Sequence, residues 1–179
     1  MASPLPPTSR RTSRGRSMKP WDQRPIEIRN LFNPAFCGLV LFRSFCGYEE
    51  EDARGMPFSL GLLILPLCLH KQSRNILLQG NRSYLLKVVS SHPELLVDFG
   101  RRATDVLPFT FEAMGFLMQL GALEVDPKGR LKAISGGVRK ALTGTAETVA
   151  CQRVARFLGK EFARVGDRST IYTTLGVRP

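Results

Sequence analysis

The chain has 179 residues, 43% of them hydrophobic, and a formal charge of +11; this suffices to bury one core and argues against two large domains. Four cysteines without a CxxC spacing and two histidines outside zinc-ligand spacings argue against a disulfide framework and a structural metal. The longest apolar run, Phe58 to Leu69, is interrupted by Ser59 and Pro66 and falls short of the roughly 18 residues of a spanning helix, and no apolar stretch follows the basic N-terminus as in a secretory signal. The expectation is a cytoplasmic protein with reduced thiols, no membrane span and no cofactor.

Residues 1–20 are rich in Pro, Ser, Thr and Arg, and Arg10, Arg11, Arg14, Arg16 and Lys19 meet no acid there. Such a segment buries too little surface to offset its ordering entropy and reads as a disordered basic arm. Residues 21–179 read as a single, mainly α domain. Trp21, Ile26, Ile28, Leu31 and Phe32 supply anchors, and Asn33-Pro34 predicts a helix start with Asn33 as cap. That helix is expected to run to Phe45 or Cys46 and to stop at Gly47. Glu49 to Gly55 reads as a solvated charged loop. Pro57 to Leu69 has no polar face and predicts a central buried helix, kinked or restarted at Pro66.

Arg74–Gln79 and Arg82–Ser90 read as short helices broken at Gly80. Ser91 and Glu94 fit a capping box ahead of a helix bearing Leu95, Leu96, Phe99, Ala103 and Val106. After Pro108, Thr110 reads as the cap of another helix, with Phe111, Met114, Leu117 and Met118 in its stripe and Gly121 at its end. Alternating residues on either side of Asp126-Pro127-Lys128-Gly129 predict a β-hairpin. Helices followed by a hairpin suggest a winged-helix-like part over about 82–135. Gly136-Gly137 opens a linker, and Thr145 caps a long helix, Ala146 to Val165, within a C-terminal helical segment, 145–179.

Catalytic constellations are missing from the sequence. There is no GxxxxGK[ST], HExxH or GxSxG, and Cys68 and His70, two residues apart, do not face each other on a helix. The expectation is a non-enzyme. From Ala103 to Pro127 no Lys or Arg occurs, so the helix before the hairpin lacks the cations a base-reading helix offers to phosphates. Lys128, Arg130 and Lys132, with Arg10, Arg11, Arg14 and Arg16 of the arm, are the candidate DNA-backbone contacts, with no sequence preference. A winged-helix DNA-binding regulator is the alternative reading.

Phe157, Phe162, Ile171, Tyr172, Leu175 and Val177 make the last stretch too apolar and aromatic for a frayed tail. It packs either on a partner or on the chain's own helices. Three blocks carry a resemblance: Arg24-Pro25-Ile26-Glu27-Ile28 with Asn30 to Cys37; Gly55-Met56-Pro57 with Leu65-Pro66-Leu67, Leu69, His70 and Lys71; and Arg156 to Lys160, Phe162-Ala163, Gly166, Thr170-Ile171 and Gly176-Val177-Arg178-Pro179. In these blocks the chain resembles the middle component of bacterial three-component ABC systems, the group that includes Lamassu-type defence systems. The resemblance implies a non-catalytic subunit that binds an SMC-like ABC ATPase and an effector such as a nuclease, with DNA reached through the ATPase complex. Asn30, Phe32, Asn33, Lys160, Ile171, Tyr172 and Arg178 are then the candidate partner-interface residues. Arg178 separates the readings, because a guanidinium near the chain end clamps carboxylates in a bidentate way and adds nothing to a self-contained core.

Overall fold

Residues 18–134, 136, 138–139 and 141–178 are described by a computed structural model. Among them the elements run α1 (Ile26–Leu31), α2 (Pro34–Glu49), β1 (Met56–Pro57), α3 (Phe58–Gly61), α4 (Ile64–Cys68), α5 (Lys71–Gln79), α6 (Leu85–Ser91), α7 (Phe99–Gln119), β2 (Leu123–Val125), β3 (Arg130–Ala133), α8 (Ala146–Val165) and α9 (Arg168–Thr174). The fold is mainly helical with one small antiparallel sheet.

The start of α2 is dictated locally. Asn33 has extended backbone, its side chain accepts from the amides of Ala35 (2.9 Å) and Phe36 (3.3 Å), and Pro34 opens the helix. Its end falls later than expected, because Gly47 does not stop the helix. Gly47 sits inside α2, where an added Cβ would collide with the Arg156 carbonyl of α8, and a Cβ on Gly159 of α8 would collide with the Ser44 carbonyl of α2. The two glycines let the helices cross with backbones touching, and α2 and α8 form the most extensive helix pair of the fold.

The segment after α2 departs most from expectation. Met56 and Pro57 pair with Leu131 and Arg130, which makes β1 an edge strand where proline is tolerated. Leu123, Glu124 and Val125 face Ala133, Lys132 and Leu131, so the sheet order is β1-β3-β2 and the hairpin forms where the turn sequence places it. In place of one central helix there are α3 and α4, divided at Leu62–Leu63. Pro66 breaks neither of them, since it lies in the first turn of α4, where its missing amide would have no partner in the helix.

Ser91 ends α6 and makes no capping bond; Glu94 instead accepts from His92 Nδ1 at 2.9 Å within a 3₁₀ turn, Pro93–Leu96. Asp98 takes the left-handed conformation (φ 53°), and α7 then runs unbroken through Pro108. Thr110 is not a cap. Its buried hydroxyl donates to the Val106 carbonyl one turn back (3.1 Å). The helix absorbs Pro108 because Pro108 and Thr104, whose carbonyl loses its amide partner, both face solvent. The bounds 82–135 therefore omit α2 and β1, on which α7 and β3 pack.

Thr145 caps α8 by accepting from the Thr148 amide (3.3 Å), and Gly166 ends it at φ 72°. Asp167 caps α9 through the amides of Ser169 (3.3 Å) and Thr170 (2.8 Å). Ile171, Tyr172 and Leu175 are buried, and the Tyr172 hydroxyl donates to the Ser59 carbonyl (2.8 Å). The C-terminal block thus docks on the chain's own core.

Candidate partner-binding surface

The candidate interface residues divide by exposure. Asn30 is exposed on α1, while Phe32 is half-buried and stacks on Phe109 of α7 with ring centroids 4.0 Å apart. Phe32 thereby fastens α1 to α7, and Asn33 is occupied in capping α2. Ile171 and Tyr172 face inward. Arg178 is exposed and makes no ion pair among the described residues; it lines a groove formed by α7, α9 and the stretch after α3.

Lys160, a candidate interface residue, instead belongs to an ion-pair row whose acids, Glu50 and Glu51, were expected in a solvated loop. Glu50 receives Arg156 Nε at 2.7 Å and Lys160 Nζ at 2.5 Å, and Arg164 joins Glu51 (2.9 Å) to Glu161 (2.9 Å). Glu49 accepts from the Ala133 amide at 2.6 Å, and Asp52 holds Arg54 at 2.8 Å. The acids from Glu49 to Asp52 are therefore stitches between the end of α2, α8 and the sheet. The Arg156 hydrogen bond, then that of Lys160, holds Glu50 below the usual carboxylate range; Arg54 does the same for Asp52, whereas burial pushes Glu49 up. Glu161, nearly buried, also accepts from the Leu85 amide at 2.7 Å, so a side chain of α8 caps α6.

Two arginines were missed. Arg24 is buried and makes a bidentate pair with Glu112 (2.7 and 2.8 Å), while its Nε donates to the Lys19 carbonyl (2.8 Å), tying the N-terminal stretch to α7. Arg43 is buried in α2, donates to Gln152 Oε1 (3.2 Å) and to the carbonyls of Arg139 and Ala141, and so ties those two residues to α2 and α8. Arg43 had a signal, an arginine in an otherwise apolar stretch; Arg24 stood in the first resemblance block, but nothing in its spacing pointed to Glu112.

The hairpin cations are not equivalent. Arg130 donates to the Gly55 carbonyl (2.8 Å) and lies 3.7 Å from Asp52, so it braces β1 against β3. Lys128 is exposed in the turn, and Lys132 lies opposite Glu124 across the strands. Arg10, Arg11, Arg14 and Arg16 fall outside the described residues. Burial raises all four thiols, Cys37 to about 12 and Cys68 well above its ordinary value. His70 accepts from the Ser73 amide (3.3 Å) at the start of α5, a capping role.

The family model of the ABC-three component (ABC-3C) system Middle Component 3 matches residues 21–179. The chain belongs to this family. Comparison of this middle component with curated proteins and with solved structures finds no match. The family match begins at Trp21, so it covers every helix and strand named above and leaves out residues 1–20. As a middle component of such a system, the protein has ABC-system partner components, and no helix of its described residues is long and apolar enough to cross a membrane.

Proposed function

We propose that this middle component is a non-catalytic adaptor that bridges an SMC-like ABC ATPase and an effector, such as a nuclease, in an antiphage or anti-plasmid complex of the Lamassu type. The family match over residues 21–179 is the observation that carries this reading. Support comes from where the polar chemistry is spent. Arg24, Arg43, Glu49, Glu50 and Glu161 all hold the chain's own elements together, leaving the surface, and Arg178 in particular, for partners. Co-expression with the products of neighbouring ATPase and effector genes tests it. The expected result is a stoichiometric complex in which ATP binds only the ATPase; purification of the middle component alone would overturn the reading.

Regulation of DNA by the free subunit is the second reading. It is favoured by exposed Lys128 at the turn of a sheet ordered β1-β3-β2. It is opposed by α7, whose outer side beyond the first turn presents Thr104, Pro108, Phe111 and Met118, while exposed Arg101 in the first turn is paired with Asp98 at 3.2 Å.

A further inference from the structure

We propose that the groove at Arg178 is the seat of an amphipathic helix from an ABC-system partner, and that this helix presents a carboxylate to Arg178. The inference rests on the adaptor reading. The groove encloses about 470 Å³ between α7 and the C-terminal residues. Its α7 wall is made by Gly100, Ala103, Thr104 and Leu107, spaced i, i+3, i+4 and i+7, so they form one stripe along the helix. The opposite wall is Gly176 and Val177, and Leu62 and Leu63 also line the groove.

The chain itself fills only part of the room that the small residues leave. A Cβ added at Gly100 would meet only Val177, at 3.6 Å, and one at Gly176 would meet nothing within 4 Å. A wall of small side chains on a helix lets a second helix approach closely and seat larger side chains between them. Charge then selects the occupant. Arg178 lines the groove and is exposed, and among the described residues it makes no ion pair and no Asp or Glu lines the groove with it. An apolar helix carrying Asp or Glu satisfies both features, because a bidentate carboxylate completes the guanidinium. A free fatty acid would share the chemistry, but Gly100, Thr104 and Gly176 are all exposed, and a small-molecule site instead encloses most of its ligand.

Thr104 is the place to test this, since its hydroxyl bonds only to the Gly100 carbonyl (3.0 Å) and its side chain faces solvent. The expected result is that Thr104→Trp and Arg178→Glu each weaken the purified ATPase–middle component complex by about tenfold or more without changing the thermal midpoint of the isolated subunit. A benzoylphenylalanine at position 104 of the full chain should crosslink to one helical segment of the partner bearing an acid. Changing that acid to Arg should restore binding to Arg178→Glu. Wild-type affinity in both variants, or crosslinks confined to the chain itself or to lipid, would overturn the groove while leaving the adaptor reading standing. Failure of the wild-type chain to join the ATPase at all would remove both.

Discussion

Glu50 and Glu49 are neighbours in sequence with opposite electrostatics. Glu50 sits between Arg156 and Lys160, and their hydrogen bonds hold its carboxyl below the ordinary 4.5. A carboxyl lowered in the folded state contributes stability above the unfolded value and loses it as pH falls through the folded value. Glu49 is raised by burial despite the Ala133 amide, so its charge costs stability at neutral pH and its protonation relieves the cost. Denaturant titrations stepped from pH 7 to pH 3 should separate the two. Glu50→Gln should be less stable than wild type at pH 7 and lose less on acidification. Glu49→Gln, which keeps an oxygen for the Ala133 amide, should be as stable as wild type or more so at pH 7 and fall more steeply. Parallel profiles for the two variants would mean that the Glu50 ion pairs and the burial of Glu49 do not persist in solution.

Element boundaries were legible wherever a local signal decided them. Asn33-Pro34, Thr145, Gly166 and the Asp126–Gly129 turn carry their own hydrogen-bonding chemistry, and each element begins or ends there. Boundaries set by contacts distant in sequence were not legible. Gly47 looked like a helix stop because its partner, the backbone of Arg156, lies more than a hundred residues away; Pro108 looked like a break because solvent exposure of Thr104 cannot be seen in a string. The site divided in the same way. The exposure of Arg178 follows from its charge, whereas the inward facing of Ile171 and Tyr172 and the ion pair of Lys160 depend on tertiary neighbours. Two glycines in helices make a direct test of this difference. Alanine at Gly115 of α7, where a Cβ meets nothing within 4 Å, should stabilise by about 1 kcal/mol through helix propensity. Alanine at Gly159 gains the same propensity but drives a methyl into backbone of Ser44 and Tyr48, an overpacking cost of about 1–3 kcal/mol or more. Thermal unfolding should therefore show Gly115→Ala above wild type and Gly159→Ala below it; equal midpoints would mean that α2 and α8 separate freely.

Across the whole molecule the charge of +11 overstates what is available to an anionic partner. Arg24, Arg54, Arg74, Arg156, Lys160 and Arg164 are engaged by the chain's own carboxylates, and Arg130 is held by the Gly55 carbonyl. Lys128 in the turn and the arginines of residues 1–20 are the better candidates for phosphate. Each phosphate contact removed from duplex DNA should reduce the log–log salt slope by about 0.9. Fluorescence anisotropy with an arbitrary-sequence duplex, read at several salt concentrations, should show a shallower slope when Lys128 is replaced by Gln and a much shallower one when residues 1–20 are deleted. Arg130→Gln should behave differently. It loosens the bond between β3 and the Gly55 carbonyl, so its effect should fall on thermal stability and leave the slope unchanged. If instead Arg130→Gln flattens the slope as much as Lys128→Gln does, the guanidinium leaves Gly55 for the phosphate, and the brace seen between β1 and β3 is a resting arrangement rather than a fixed part of the sheet.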